Sequence, residues 1–269
     1  MSEETTDTPL IPDQRRELLL KHLQRERVLS VHQLTDLLEV SHMTVRRDIA
    51  TLEREGRVVP VPGGVRIAGA PGSRHLAAEA SRLDKSMVEP AEKAAMAARA
   101  ATEVLTEQMT VYLDAGTTIA QLVPHLVELR GMTVVTNDFA IVDDLLVSEA
   151  DIEVIHVGGA VDRQNRSSVG VLATAVLERI ALDVAFISSS SWDLRRGVTT
   201  PYPDKVAVKH AAMAAATESV LVAGSSKYGR FGMYRVCELG DLSLVVTDSA
   251  LAPADAEAIR AAGVKLAEA

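Results

Sequence analysis

The stretch Ser41–Val65, SHMTVRRDIATLEREGRVVPVPGGV, decides how the N-terminal region is read. Ser41 is suited to cap a helix and Gly56 to end one in a left-handed conformation, so HMTVRRDIATLEREG is expected to be helical. At about 100° per residue, Val45, Ile49 and Leu52 fall on one side and must face a core. The opposite side carries Met43, Arg47, Ala50 and Arg54, flanked by Thr44, Arg46 and Thr51. That face is basic and short-chained. A helix fits the DNA major groove, and arginine both pairs bidentately with guanine and neutralises phosphate. A solvated charged face on a helical bundle satisfies the same pattern. The next residues, Arg57 to Ile67 (RVVPVPGGVRI), alternate around Pro62, Gly63 and Gly64 and predict a two-stranded ribbon with a tight turn.

Working outward, QRRELLLKHLQRER after Pro12 and Asp13 places Leu18, Leu19 and Leu23 at helical spacing. Ser30 is expected to cap a second helix over VHQLTDLLEV, with Val31, Leu34, Leu37 and Leu38 as its apolar stripe. Three helices and a ribbon make a winged helix-turn-helix over residues 12–67. Its candidate contacts to double-stranded operator DNA are Ser41, Met43, Thr44, Arg46, Arg47, Arg54 and Arg57, with a protein-contacting winged helix as the alternative.

The chain has 269 residues, enough for two domains, and at 47% hydrophobic and 24% charged it can bury a real core. Its net charge of -9 is unevenly spread. Pro12 to Ile67 hold ten Lys/Arg against eight Asp/Glu, and Ala68 onward eighteen against twenty-six. A near-neutral, arginine-rich head on an acidic body suits a small DNA reader carried by a larger domain, or two ordinary domains. The acidic, polar first residues do not resemble a secretion signal, and no stretch approaches the roughly 18 apolar residues of a membrane span. One cysteine, Cys237, leaves no intramolecular disulfide or thiolate cluster and suits the cytoplasm. The seven histidines lack paired metal-ligand spacing, so neither metal nor cofactor is expected.

Ala68 to Pro90 lacks a sustained period and is read as a linker. Over 91–269, helical stretches alternate with short apolar strands, which predicts a mostly parallel, doubly wound α/β domain. In such sheets ligands bind beyond the carboxyl ends of the strands. The loops expected there are small and polar: DAGTT (114–118), TND (136–138), Gly158-Gly159, Ser188 to Asp193 and GSSKYG (224–229). Gly116, Thr117 and Thr118 offer amides and hydroxyls to a phosphate, or simply a helix cap, and Lys227 beside Ser226 offers a cation, or a surface lysine. Trp192 is either core or a platform for a sugar ring. Lys209 is either a ligand contact or a solvated helix residue.

The stretch 41–65 resembles the signature of the DeoR family of bacterial repressors, in which Ser-x-x-Thr-hydrophobic-Arg-Arg-Asp opens the recognition helix and Gly-Gly closes the wing. Where members usually have a basic residue or histidine before Gly-Gly, this chain has Pro62. DAGTT, VTND, VGG and SSKYG likewise resemble the DeoR effector domain, which is similar to ribose-5-phosphate isomerase and the amino-sugar phosphate deaminases. The resemblance implies a repressor of a carbohydrate operon, controlled by a phosphorylated sugar or sugar acid; a homo-oligomer, dimer or tetramer, is expected because a single winged helix reads only a few base pairs. Its effector candidates are Asp114, Gly116, Thr117, Thr118, Asn137, Gly159, Asp193, Lys209, Ser226 and Lys227. Asp193 stands where the family has an acid in its sugar-facing loop, although SSSSWD replaces the usual Gly-Ala-Asp-Gly-Ile-Asp. The competing reading is an active isomerase or deaminase with a regulatory head, for which Asp114, Asp138 and Asp193 are the available bases.

Overall fold

The computed structural model describes residues 11–26, 28–54, 57–61, 64–67, 75–76 and 79–269. The chain forms two compact units, Met1–Ser73 and Arg74–Ala269.

In the first unit α1 (Pro12–Glu26) leads through β1 (Val28–Ser30) to α2 (Val31–Leu38), α3 (His42–Arg54), β2 (Val58–Val61) and β3 (Gly64–Ile67). Ser30 caps α2 through a reciprocal box with Gln33, and Glu39 ends that helix with φ 52°. The core gathers Leu19, Leu20 and Leu23 of α1, Leu34 and Leu38 of α2, and Val45, Ile49 and Leu52 of α3. Leu37, expected on the apolar stripe, instead faces outward, because the turn of α2 that buries Leu34 and Leu38 rotates it away. The wing also differs from the expected pair of strands. β1 adds to β3, giving the antiparallel order β1-β3-β2. At Gly64 a Cβ would stand 2.3 Å from the Leu29 carbonyl oxygen, so only glycine permits that third strand. Gly56, Pro62 and Gly63, read as helix end and wing tip, lie outside the described residues.

The second unit opens with β4 (His75–Leu76), α4 (Arg82–Ser86) and α5 (Pro90–Val104). β5 (Thr110–Leu113), α6 (Val123–Leu126), β6 (Met132–Thr136), α7 (Phe139–Val147) and β7 (Ile152–His156) follow. The hairpin of β8 (Ala160–Asp162) and β9 (Ser167–Val169) precedes α8 (Val171–Leu177) and β10 (Leu182–Ile187). β11 (Ser191–Asp193), β12 (Gly197–Thr200), α9 (Pro203–Ala215) and β13 (Ala216–Val222) come next, then β14 (Phe231–Gly232), β15 (Tyr234–Cys237), β16 (Leu244–Thr247), α10 (Pro253–Ala261) and β17 (Leu266–Glu268).

Seven strands form one parallel sheet in the order β17-β16-β13-β10-β5-β6-β7. Successive side chains alternate between its faces. Val111 and Leu113 of β5, with Val184 and Phe186 of β10, pack among Met96, Ala97 and Ala100 of α5 and Ile141 of α7. Tyr112, Ala185 and Ile187 point the other way, to Leu177 of α8 and Val208 and Ala212 of α9. The sheet is thus covered on both faces, as its apolar strands require. Between β5 and β6 the chain forms a 3-10 turn (Ile119–Leu122) followed by the single turn of α6, where Pro124 supplies no amide proton.

The stretch read as linker divides in the structure. Residues 75–76 pair with β14, and Arg82 to Ser86 form α4, capped by Ser81. Nearly the whole of 79–90 therefore belongs to the fabric of the second unit.

In the first unit, Asp48 sits on the inner side of α3, 2% exposed, and holds α1 by a bidentate pair with Arg15, whose second bond is 3.1 Å. This pair also raises the Arg15 pKa. Breaking a partly buried ion pair between two helices is destabilising. Asp48→Ala should destabilise the first unit by about 3 kcal/mol, seen in urea unfolding of the full chain as an earlier first transition; an unmoved transition would show the pair to be inert.

Candidate functional site

Two separate surfaces carry the chemistry. On α3 the outward face presents Met43, 70% exposed, with exposed Arg46 and Arg47 and half-buried Thr44. Ser41 caps the helix, its Oγ accepting the Thr44 amide at 3.2 Å and lying 2.9 Å from the Thr44 hydroxyl. Arg57 is exposed and bonds Glu17 at 2.7 Å. The side chain of Arg54 lies outside the described residues. Among the described residues Arg46 and Arg47 make no ion pair, whereas Arg15, Arg16 and Arg57 each have an acid partner. Among the described arginine side chains of this unit, those without an acid partner are therefore Arg46 and Arg47 of α3.

The second surface is a cavity of about 350 Å³ in the second unit. The strand order explains its place. β13, β10, β5 and β6 are consecutive in the sheet, so the loops leaving their carboxyl ends converge. Those loops are wired first to one another. Asn137 Oδ1 accepts the Ala115 amide at 2.8 Å, while its Nδ2 donates to the Ser168 carbonyl at 3.0 Å. Asp138 caps α7 through the Ala140 amide (2.8 Å), accepts the Gly116 amide (3.1 Å) and pairs with Arg82. Burial raises the Asp138 pKa, with Arg82 and these amides opposing. Asp114 accepts the Ser188 amide (2.9 Å) and hydroxyl and pairs with Lys209. Lys209 is 4% exposed and spends its remaining protons on the Ser188 carbonyl (2.8 Å) and hydroxyl (3.1 Å). It is thus neither solvated nor unoccupied; it and Asp114 brace the loops. Gly116 lets them meet, since a Cβ there would stand 2.9 Å from the Ser188 Cβ.

What faces the space is different. Thr117 and Thr118 line it, and neither hydroxyl has a bonded partner among the described residues; Thr118 makes no capping bond, so the simple cap is not its role. Ser189 is 6% exposed and its hydroxyl has no partner among the described residues. Lys227 lines the cavity with one bond, to the Ser189 carbonyl at 2.8 Å. Ser226 is exposed and bonds Glu89 at 2.9 Å. Six basic side chains line the cavity against four acidic ones, inside a unit whose overall charge is negative.

Several lysines surround one carboxylate that sequence reasoning missed. Glu79 accepts from Lys85 (2.9 Å), Lys205 (3.0 Å) and the Ser190 hydroxyl. Burial alone would raise its pKa, but Lys205, Lys85 and Ser190 outweigh that and hold it at about 2. Lys93 is turned into α4, donating to the Lys85 and Val88 carbonyls, and burial lowers its pKa. Burial, then Lys85, Lys93 and Lys209, pull Lys227 down to about 8, with Glu79 opposing. A readable signal for Lys93 and Lys205 existed. Both occupy the first turn of a helix, where the dipole disfavours a cation.

Two expectations fail. Asp193 is outside the cavity: β11 turns it to Arg196, whose amide and guanidinium take both carboxylate oxygens. Gly159 is also outside, because β7 is the edge strand of the sheet. It serves the backbone instead, with φ 117° and a Cβ position only 2.8 Å from the Val169 carbonyl oxygen. Trp192 is fully buried, bonds the Gly224 carbonyl at 3.1 Å and packs edge-on to Tyr228, so it is core and not a sugar platform. Cys237 is likewise buried, its thiol pushed up to about 12 by burial and Asp241.

A winged helix-turn-helix carrying a separate α/β unit with a lysine-lined cavity is the architecture of a ligand-responsive DNA-binding regulator. The comparisons with known proteins agree. Residues 15–69 match the DeoR-like helix-turn-helix domain and residues 88–249 the DeoR C-terminal sensor domain. An HTH-type transcriptional regulator of Haemophilus influenzae is 39% identical over 93% of this chain and 94% of its own length. The regulator YgbI of Escherichia coli K12 is 41% identical, covering 90% and 92%. The lactose phosphotransferase system repressor of Staphylococcus aureus is 28% identical, covering 86% and 89%. Among solved structures, ribose 5-phosphate isomerase from Plasmodium falciparum overlaps 53% of this chain and 55% of its own at 11% identity and a TM-score of 0.39. The chain belongs to the DeoR family of transcriptional regulators. No helix among its described residues is long and apolar enough to cross a membrane.

The low pKa of Lys227 gives a test of the cavity. A phosphate monoester is fully dianionic above about pH 7, so its affinity should fall as pH rises past about 8 and Lys227 loses its proton. Binding at about pH 8.5 should take up a proton, detectable by calorimetry in buffers of different ionisation enthalpy. Affinity that stays flat across this range would remove Lys227 from the site.

Proposed function

We propose that the chain represses a carbohydrate-catabolism operon, reading operator DNA through α3 and the wing and releasing or gripping it according to a phosphorylated sugar or sugar acid in the second unit. The observation that carries this reading is the cavity: unspent donors on Thr117, Thr118, Ser189 and Lys227, gathered at three adjacent strand ends of an acidic unit. Hydroxyls and an ammonium are the groups that hold phosphate oxygens. The repressor named for the lactose phosphotransferase system supports the carbohydrate setting.

Turnover is the less favoured reading. A proton-abstracting base must reach substrate with its lone pairs available. Asp114 is committed to Lys209 and Ser188, Asp138 to Arg82 and two amides, and Asp193 to Arg196. Assembly as a homo-oligomer in the cytoplasm completes the proposal, because one winged helix reads few base pairs and linked heads gain affinity by effective concentration.

Arg47→Ala should cost operator binding about 1 to 3 kcal/mol and relax sequence preference. Lys227→Ala should bind operator normally and lose its response to sugar phosphate. Gel retardation with the chain's own promoter, with and without a panel of phosphorylated sugars, reads both; wild-type behaviour of both variants would sink the proposal.

A further inference from the structure

We propose that Glu79 is an internal counter-ion that a bound phosphate displaces, so that occupancy of the cavity loosens the segment through which the chain leaves the DNA-binding unit. This rests on the anion-cavity reading above and adds its coupling.

Glu79 occupies the position of a ligand. Its carboxylate takes two ammonium groups and a hydroxyl, the donor set a phosphate oxygen would take, and its side chain is 7% exposed. A dianion arriving at Lys205 and Lys227 meets that carboxylate at close range. Like charges a few ångströms apart in a partly desolvated space repel strongly, so the two anions compete for the same lysines.

The segment bearing Glu79 is built to respond. The second unit begins at Arg74, so Glu79 to Glu89 follow the DNA-binding unit almost at once in the chain. α4 contains no buried residue, and Leu83, Met87 and Val88 are 75%, 78% and 53% exposed. Its attachment is polar: Arg82 to Asp138, the Arg82 amide to the Gln164 carbonyl at 3.0 Å, Gln164 Nε2 to the Glu79 carbonyl at 2.7 Å, and Ser226 to Glu89. A segment fastened by apolar burial would ignore an anion. One fastened by hydrogen bonds and by the Glu79–Lys205 ion pair, whose lysine lines the cavity, will not. A ligand shifts such an equilibrium only by its differential affinity for the two states, and the lost Glu79 contacts supply the difference.

The test uses full-length protein and inorganic phosphate as probe. Phosphate should speed amide exchange across residues 79–89 of the wild type. Glu79→Gln should exchange faster there without phosphate, keep wild-type protection in β5 and β10, and bind phosphate about tenfold tighter, because the repulsion is gone. If the wild type binds phosphate with exchange at 79–89 unchanged or slowed, or Glu79→Gln binds it no more tightly, displacement is wrong while the anion cavity stands. If neither protein binds phosphate, the cavity reading falls and the proposal with it.

Discussion

Ammonium groups repel one another, and this chain places five of them, on Lys85, Lys93, Lys205, Lys209 and Lys227, around a single cavity. That constraint organises the second unit. Each lysine needs an acceptor, and the acceptors come from different parts of the chain: the Asp114 carboxylate for Lys209, the Lys85 and Val88 carbonyls for Lys93, Glu79 for Lys85 and Lys205. Among the described residues Lys227 bonds one carbonyl, and burial, with Lys85 beside it, lowers its pKa. A site left short of negative charge in this way is prepared for an anion, and being partly desolvated it makes each contact stronger than it would be in water.

The parallel sheet makes this arrangement possible. Parallel strands all end on one side, so consecutive strands deliver consecutive loops to the same place. The polar residues in those loops divide into two sets. Asp114, Asn137, Asp138 and Lys209 satisfy one another and neighbouring amides, fixing the loops in register. Thr117, Thr118, Ser189 and Lys227 are thereby held with donors to spare. The first set spends its hydrogen-bonding capacity on structure, and the second leaves donors unspent among the described residues.

How far the sequence could be read follows the range of the interactions involved. α3 and its outward arginines were legible because caps and periodicity act within a few residues. The doubly wound sheet was legible from alternating apolar runs, and the DAGTT and SSKYG loops from their position after them. Glu79 was not, because its meaning depends on Lys205, 126 positions away, and Lys85 on Asn165, 80 positions away. Both fall in a stretch without period, which composition alone presents as linker. Gly159 was misplaced for a related reason: local pattern shows a loop after a strand but not that the strand lies at the sheet edge. For Asp114 and Lys209 the location was legible but the role was not, since each looks ligand-facing until the other is seen beside it.

Recognition in the first unit and sensing in the second remain chemically distinct, and the chain runs between them into a segment whose attachments are polar. The central claim is that the cavity recognises a phosphate group and not a sugar as such. Calorimetric titration of the full-length protein with matched pairs, each sugar against its own phosphate, tests it most directly. The phosphate forms should bind and the free sugars should be weaker by about a hundredfold or more, the loss of two charge-assisted contacts. Equal affinity for both members of each pair would contradict the account.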